Sequence, residues 1–313
     1  MKTARHHLPI VRFVAATALL AVLAGCGGGN GGGKDTTPPA DDPGRVNLTF
    51  LAELAGEPFA CGRTFDAIGA TGVTIEPGDL RFYVSELRLV RADGSEEPIV
   101  LDQDGVWQVD DLALLDFEDA TGRCASVGSP ETNRSVRGTA APGDYVGVRF
   151  TLGVPFARNH GDAASAPAPL NKSALFWNWN AGYKFLLYDN WVQDSGLEYR
   201  MHVGSTRCDG DGRGNVTGCA NPNRVAVDLP PFDPRSDAIA ADLASLFVDS
   251  NLEKNAPSTP PGCMGSPSDD DCAAPFARLG LPFNGRPGGT QQLFSVAAGQ
   301  AASARADAAT ADP

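Results

Sequence analysis

The sequence predicts an all-β fold, an antiparallel β-sandwich, and three observations lead to that prediction. Several short segments alternate apolar and polar residues at the period of a strand. Glycine and proline, 36 and 24 of the 313 residues, punctuate the chain between these segments. Helical patterns do not alternate with the strands, which argues against a parallel βαβ architecture. We therefore expect a sandwich with long disulfide-stapled loops and one helix near the C-terminus.

Residues 1–25 have the pattern of an export signal, because three basic residues precede an apolar run too short for a membrane-spanning helix. The run ends in Leu23-Ala24-Gly25-Cys26, which resembles a bacterial lipobox, in which the signal is cut before the cysteine and the thiol is acylated. An ordinary secretory leader beside an unrelated cysteine is the alternative. Gly27, where an aspartate would favour the inner membrane, favours passage to the outer membrane. We expect a protein of the cell envelope, periplasmic or surface-exposed, held by a lipid at Cys26.

Composition sets the remaining boundaries. Residues 26–44 are rich in glycine and then proline and cannot bury enough apolar surface to fold, which predicts a tether. Residues 297–313 are alanine-rich and predict a disordered tail, which leaves one folded domain over residues 45–296. The formal net charge of −13 and the absence of a Lys/Arg cluster argue against a nucleic-acid partner.

Six cysteines remain besides Cys26, and an even number in an exported protein predicts disulfides. Six cysteines allow fifteen connectivities. Local pairing would staple two short polar loops, Cys208 to Cys219 and Cys263 to Cys272, and would leave Cys61 for Cys124. A zinc site is the competing interpretation, but the sequence has no Cys-x-x-Cys motif and no histidine close by to complete one.

The strands follow from the alternation of apolar and polar residues. In residues 197–203, for example, Tyr199 and Met201 share one face and Arg200 and His202 share the other. A helix is predicted over residues 234–251, where apolar residues fall at helical spacing behind Asp-Pro-Arg-Ser. The predicted strands are residues 45–53, 80–91, 106–109, 145–152, 197–203 and 225–229.

Residues 174–191 gather seven aromatic residues into eighteen positions. Trp177 and Trp179 stand two apart, so they share a face if the segment is extended, and residues 180–182 predict a turn into a second strand at 183–188. A buried aromatic hairpin is the ordinary interpretation. His160 and His202, the only histidines beyond the leader, flank this stretch.

Two histidines brought together by a β scaffold could hold copper if a third donor completes the site, although each alone is more often an ordinary polar residue.

Residues 209–215 copy part of a calcium loop, but Arg213 occupies the third alternate position and no glutamate stands at the twelfth. A turn inside a disulfide loop is therefore the better interpretation there. The sequence has no His-Glu-x-x-His motif, Gly-x-Ser-x-Gly elbow or phosphate loop.

A set of motifs in a fixed order carries a resemblance to a known family. The motifs are Gly153-Val-Pro-Phe-x-x-Asn-His160, Pro169-Leu-Asn171, Phe176-Trp-Asn-Trp179-Asn-Ala-Gly-Tyr-Lys-Phe185, His202-Val-Gly-Ser-Thr-x-Cys208, Cys219 and Asn223-Arg224. Over residues 46–252 the chain resembles the MbnP family, the four-Cys-motif proteins of the metallo-mystery pair, which are encoded beside a dihaem cytochrome of the peroxidase type. Proteins of that family bind copper, and the dihaem partner oxidises one tryptophan to kynurenine.

The resemblance implies copper as the cofactor, His160 and His202 as ligands, and a dihaem cytochrome c peroxidase-like protein (MbnH type) as the partner. It makes Trp177 or Trp179 the tryptophan converted to kynurenine, with the freed aryl amine as a third donor, and Trp191 a further candidate. The family's four cysteines correspond to Cys61, Cys124, Cys208 and Cys219, with Cys263 and Cys272 as an addition.

The resemblance thus implies a non-enzymatic protein that acts in copper acquisition or homeostasis, and the lipobox-like pattern at Cys26 adds that it is a surface lipoprotein. The alternative is a carbohydrate- or protein-binding sandwich whose exposed tryptophans form a stacking platform. Solvent exposure of the indole rings distinguishes the two hypotheses. A hydrolase that uses dispersed acidic residues is a third class, and no motif favours it.

Overall fold

The computed structural model describes residues 44–213 and 215–299. The predicted leader, Cys26, the tether up to residue 43 and the tail beyond residue 299 lie outside the described residues. Ala297, the first residue of the predicted tail, is instead the buried last residue of a strand. No helix in the described part of the chain is long and apolar enough to cross a membrane.

Most of the regular structure is strand. Three short helices accompany the strands: α1 (Phe156–Asn159), α2 (Ala244–Phe247) and α3 (Ala273–Arg278). The strands are β1 (Arg45–Leu54), β2 (Glu57–Pro58), β3 (Phe65–Ile68), β4 (Val73–Arg91), β5 (Glu96–Pro98), β6 (Val100–Leu101), β7 (Gln108–Val109), β8 (Leu112–Asp116), β9 (Ser135–Thr139), β10 (Tyr145–Leu152), β11 (Phe176–Asn178), β12 (Gly182–Val192), β13 (Glu198–Gly204), β14 (Thr206–Gly210), β15 (Val216–Asn221), β16 (Val225–Leu229), β17 (Ala238–Asp242), β18 (Gly262–Cys263) and β19 (Phe294–Ala297).

Two sheets form a sandwich, as predicted. The larger sheet has the order β16-β10-β4-β12-β13-β18, and the smaller has the order β19-β17-β1-β9-β6. Aromatic rings interlock between them: Phe50 of β1 meets Phe82 of β4 at 6.2 Å and Phe150 of β10 at 5.7 Å between ring centroids. Edge-to-face contacts of this kind add to the free energy gained by burying the rings. The main core therefore lies between the sheets.

The larger sheet also buries its outer face, and this second core positions the candidate site. On β4, Phe82 and Val84 belong to the inter-sheet core, whereas Tyr83 between them points the other way, as strand alternation requires. The loop over residues 153–175 covers the outer face by burying Val154, Leu170 and Leu175. Both faces of the central strands are therefore packed.

Three disulfides join Cys61 to Cys124, Cys208 to Cys219, and Cys263 to Cys272. These are the pairings that local closure of the two short loops implied. The second disulfide crosses the separate two-stranded sheet β14–β15 between directly paired residues. It holds that hairpin beside the candidate site.

The predicted helix over residues 234–251 is wrong. Ala238–Asp242 is strand β17, which pairs parallel with β1, and only the single turn α2 follows it. All of Ala238 to Ala241 is buried, so this strand has apolar residues at consecutive positions and no period of two. A short apolar run buried on both faces cannot be distinguished from a helix by periodicity alone.

The other predicted strands are present with shifted ends, and some were missed. The predictions for residues 145–152 and 225–229 match β10 and β16. The prediction for residues 106–109 retains only β7, and β8 was missed because its five residues are all buried. Besides the β1–β17 pair, β13 and β18 also pair parallel.

Candidate metal site

The aromatic stretch forms the predicted hairpin, but its turn begins one residue early. Strands β11 and β12 pair antiparallel, and Trp179 lies in the turn between them. Asn178 organises this turn: its Oδ1 accepts hydrogen bonds from the backbone N–H groups of Asn180, at 3.0 Å, and Ala181, at 2.9 Å. Trp179 therefore does not share a strand face with Trp177.

Gly182 fixes how closely the hairpin approaches α1. Its φ is +76°, and a Cβ at this position would lie 2.2 Å from the carbonyl oxygen of Asn159. Only glycine meets both requirements. The base of β12 can therefore pack directly on the residue that precedes His160.

Asn159 connects the elements around the site. It is 1% exposed, and its Oδ1 accepts a hydrogen bond from the backbone N–H of Tyr183 at 2.9 Å. Its Nδ2 lies 3.2 Å from Nε2 of His160 and 3.3 Å from both the Ala181 carbonyl and the Ser205 hydroxyl. One buried amide thus ties α1 to the hairpin and to the end of β13.

His160 follows α1 and is buried. Its Nδ1 lies 3.2 Å from the carbonyl oxygen of Trp179, which requires that nitrogen to carry the proton and leaves Nε2 with a lone pair. Nε2 also lies 3.6 Å from Sγ of Cys219, in the disulfide of the β14–β15 hairpin. Burial lowers the pKa of His160, opposed by the Trp179 hydrogen bond, so the neutral form is favoured.

His202, on β13, is 3% exposed and uses its two ring nitrogens differently. Nε2 lies 2.8 Å from Oδ1 of Asp189 on the adjacent strand β12. Nδ1 is buried and has no hydrogen-bond partner among the described residues. Burial lowers the pKa of His202 more than the neighbouring Asp189 carboxylate raises it. A neutral imidazole that donates to a carboxylate and directs a bare nitrogen into the protein is ready to bind a metal ion.

The two tryptophans lie beside different histidines. The Trp177 ring packs over Gly204, two residues after His202, where a Cβ would come within 2.6 Å of the ring. A Cβ at Gly265 would lie 3.4 Å from the same ring and 3.2 Å from the carbonyl oxygen of His202. Trp179 instead contacts Phe176 edge-to-face at 6.1 Å and presents its backbone carbonyl to His160. Both indoles are half-buried.

The described residues contain one group of three potential ligand atoms within 4.8 Å of one another. It consists of His160, Cys208 and Cys219, and not of His160 with His202. The two sulfur atoms are joined in a disulfide, which lacks the thiolate charge that binds metals. Sequence analysis missed His160 as a neighbour of these cysteines, because it lies far from both of them along the chain.

A buried ionic cluster adjoins His202 on the same face of the larger sheet. Four paired residues cross the sheet in one row: Asp116 of β8 pairs with Arg81 of β4, Arg81 with Leu187 of β12, and Leu187 with His202 of β13. Arg81 binds Asp79, and both side chains are almost fully buried. Desolvation raises the pKa of Asp79 to about 7 and that of Asp116 to about 8, although Arg81 opposes both shifts.

The calcium-like segment is a turn. Asp211 accepts hydrogen bonds from the backbone N–H groups of Arg213 and Asn215, at 2.7 and 3.3 Å, and from Nδ2 of Asn215 at 2.6 Å. Its carboxylate is therefore engaged inside the hairpin loop between β14 and β15.

Trp191, the third tryptophan candidate, lies far along β12 against Gly78 and under Arg123, whose guanidinium carbon is 5.1 Å from the ring.

Sequence reasoning missed Asp189 and Asn159. The contact of Asp189 with His202 could have been predicted from the short connection between β12 and β13. That connection puts Leu187 opposite His202 and Asp189 opposite Arg200, so Asp189 becomes the diagonal neighbour of His202. Asn159 gives no comparable signal, because its partners come from three separate segments of the chain.

Comparisons with known proteins identify the family of the chain. The family model described as MbnP matches residues 43–265, a region that includes both histidines and both hairpin tryptophans. A solved structure, MbnP from Methylosinus trichosporium, is 32% identical and superposes with a TM-score of 0.72; the match covers 81% of this chain and 98% of that chain. None of the curated proteins matches the chain. With a family match over most of its length and a closely similar solved fold, the chain belongs to the MbnP family.

Proposed function

We propose that this protein binds one copper ion through His160 and His202, with a tryptophan of the hairpin converted to kynurenine as a third donor. The protein is not an enzyme in this proposal. It is the substrate of a dihaem cytochrome c peroxidase-like partner and serves copper acquisition or homeostasis. Membership of the MbnP family and the chemistry of the two imidazoles support the proposal.

The observation that carries the proposal is the state of His202. Its Nδ1 is buried without a partner in the described part of the chain, while its Nε2 is bonded to Asp189. An unsatisfied buried nitrogen costs free energy unless something binds it. Metal-ligating histidines commonly donate their other ring N–H to a carboxylate, which fixes the ring and increases its basicity. The residues therefore fit a copper ion, since imidazole nitrogen is a good copper ligand.

The hairpin supplies the link between the two histidines. Trp177 packs beside His202 through Gly204 and Gly265, and the backbone of Trp179 contacts His160. Residues 177–179 therefore connect the surroundings of His202 with those of His160. An aryl amine released from either indole would enter this region. When bound, copper would supply the affinity that draws the imidazoles and the amine together.

The test is peptide mass mapping of the native protein over residues 173–184, combined with copper analysis. We expect one tryptophan in the kynurenine form and one copper per chain. Trp177→Phe and Trp179→Phe, made singly and expressed with the partner, should identify the converted residue, because one of them abolishes both conversion and tight copper binding. If neither change affects conversion or copper content, the proposal fails.

The second candidate is a carbohydrate- or protein-binding sandwich, and the partial exposure of both indoles favours it. A stacking platform needs ring faces open to solvent. Unmodified Trp177 and Trp179 in fully matured protein without copper would support this second candidate.

A further inference from the structure

We propose a second metal site that forms only when the Cys208–Cys219 disulfide is reduced, in which both thiolates and Nε2 of His160 bind one Cu(I). The three ligand atoms already lie within 4.8 Å of one another, and Nε2 is 3.6 Å from Sγ of Cys219. Nitrogen and sulfur donors about 2.0–2.3 Å from one ion stand roughly 3.5–4 Å apart. Small side-chain shifts would therefore assemble the site.

This disulfide is the one most open to a reductant. Cys208 and Cys219 are both partly exposed, whereas Cys263 and Cys272 are fully buried. In the remaining disulfide Cys61 is partly exposed but Cys124 is fully buried, so Cys208–Cys219 is the one disulfide of the described residues in which both cysteines are partly exposed. Thiol–disulfide exchange requires access to a sulfur atom, so Cys208–Cys219 should be reduced first.

The scaffold around the sulfur atoms does not depend on the disulfide alone. Strands β14 and β15 are paired on both sides of it, with Thr206 opposite Asn221 and Asp209 opposite Gly218. The far end of the hairpin is tied to the aromatic turn, because the backbone N–H of Gly212 donates to Oδ1 of Asn180 at 2.9 Å. The two thiols would therefore remain opposite each other after reduction.

The imidazole is held independently. The hydrogen bond from Nδ1 of His160 to the Trp179 carbonyl directs Nε2 towards the sulfur atoms, and Phe156 packs edge-to-face on the ring at 5.1 Å. Neither contact involves the disulfide. Reduction changes the charge of the sulfur donors and leaves the third donor in place.

Reduction of the Cys208–Cys219 disulfide requires a reductant, and a dithiol can supply the electrons and protons. The dithiol transfers two electrons and two protons, the Cys208–Cys219 bond breaks to give two thiols, and the reductant leaves as its own disulfide. Cu(I) binding to both sulfur atoms then releases the two thiol protons. Thiolates are soft donors that prefer Cu(I). This site shares His160 with the copper site proposed above, but it needs neither His202 nor a converted tryptophan.

The experiment uses the exported chain made without a dihaem partner and carrying His202→Ala, so that its outcome is independent of the proposed function. A phosphine reductant is applied and removed without oxygen, and alkylation with mass spectrometry identifies the free thiols. Competition with a colorimetric Cu(I) chelator then measures affinity. We expect the reduced protein to bind one Cu(I) at least about tenfold more tightly than the oxidised protein.

Two controls keep the result interpretable. Capping the reduced thiols by alkylation, which needs no mutation, should abolish the gain, as should Cys208→Ser with Cys219→Ser in a protein whose circular dichroism is unchanged. His160→Ala should reduce the gain while leaving the thiols reducible. Equal Cu(I) affinity before and after verified reduction of Cys208 and Cys219 overturns the proposal, as does a gain that survives capping.

Discussion

Asp189 holds the ring of His202 through Nε2 and thereby decides which nitrogen faces the interior. An amide at this position could hydrogen-bond to the ring but would lose the charge that makes Nδ1 a stronger donor. If His202 binds copper as proposed, the carboxylate matters for the affinity of the site more than for the fold, because it is itself partly exposed to water.

We predict that Asp189→Asn lowers copper affinity by about 10- to 100-fold, the usual cost of losing an outer partner of a ligating histidine. Competition with a copper chelator measures the change on protein matured with its partner. Asp194→Asn, the same substitution at an exposed position two residues beyond β12, is the control and should leave affinity unchanged. Equal affinity in the two variants would remove Asp189 from the site.

Asp116 is fully buried, and both of its carboxylate oxygens have no hydrogen-bond partner among the described residues. Burial raises its pKa to about 8, whereas an aspartate in an unfolded chain has a pKa of about 3.9. The folded protein therefore holds this proton over a pH range in which the unfolded chain has released it. The contribution of Asp116 to stability consequently falls as the pH rises from about 4 to about 8.

We predict that Asp116→Asn makes the free energy of unfolding less dependent on pH over that range, because the side chain no longer titrates. Guanidinium unfolding at about pH 5 and about pH 9 measures the difference for each protein. Wild type and Asp194→Asn should both lose stability between the two values, and Asp116→Asn should lose less. An unchanged pH dependence in Asp116→Asn would mean that another group carries it.

At the scale of elements, β17 shows how tertiary context overrides local pattern. A helix over residues 234–251 that buried Ile239 and Leu243 would turn Ala241 towards solvent. In the structure Ala241 is fully buried, and β17 lies between β1 and β19. The strand is specified by its neighbours, which come from opposite ends of the described chain.

We predict that Ala241→Lys destabilises the protein by more than about 3 kcal/mol, since it buries an unpaired charge. Val248→Lys, at a position that is half exposed, should change the free energy of unfolding by no more than about 0.5 kcal/mol. Denaturant unfolding of both variants with intact disulfides measures the contrast. Tolerance of Ala241→Lys would favour the helix instead.

The same contrast explains how much the sequence could predict. Strands exposed on one face, such as β10 and β16, keep a period of two and were located correctly. Strand β8 is buried throughout and β17 is buried at all but its last residue, so neither carries such a period. At the candidate site, the motifs made His160 and His202 the predicted ligands, but the sequence could not show that His160 lies against Cys219, because that contact joins residues far apart in the chain.

At the scale of the whole molecule, the site belongs to a domain that we expect to be attached to a membrane through its N-terminus. Cys26 lies outside the described residues, so this attachment remains a prediction from the sequence. Residues 26–44 would set the distance between the membrane and β1 if they act as a tether. The proposed copper site would then lie in the cell envelope.

We predict that Cys26→Ser releases the protein from the membrane fraction, because a lipid anchor is lost while the fold stays intact. Membrane fractionation and the mass of the N-terminal peptide measure the effect. Gly27→Asp keeps the acylated cysteine and is the matched control; it should stay membrane-bound but move from the outer to the inner membrane. Because an uncut leader could also hold Cys26→Ser at the membrane, the decisive result is the wild-type N-terminal peptide, and a mass without a lipid would contradict the anchor.

The parallel pairing of β1 with β17 also fixes the order in which the protein can mature. Phe50 and Ile239 are partners in that pairing, and β19 then adds to β17, so the first strand of the described residues must wait for nearly the last. Such distant partners slow folding and leave strand edges open in the meantime. The edge of β1 that faces β17 therefore stays open until nearly the whole chain is available, whereas β9 can pair with its other edge earlier.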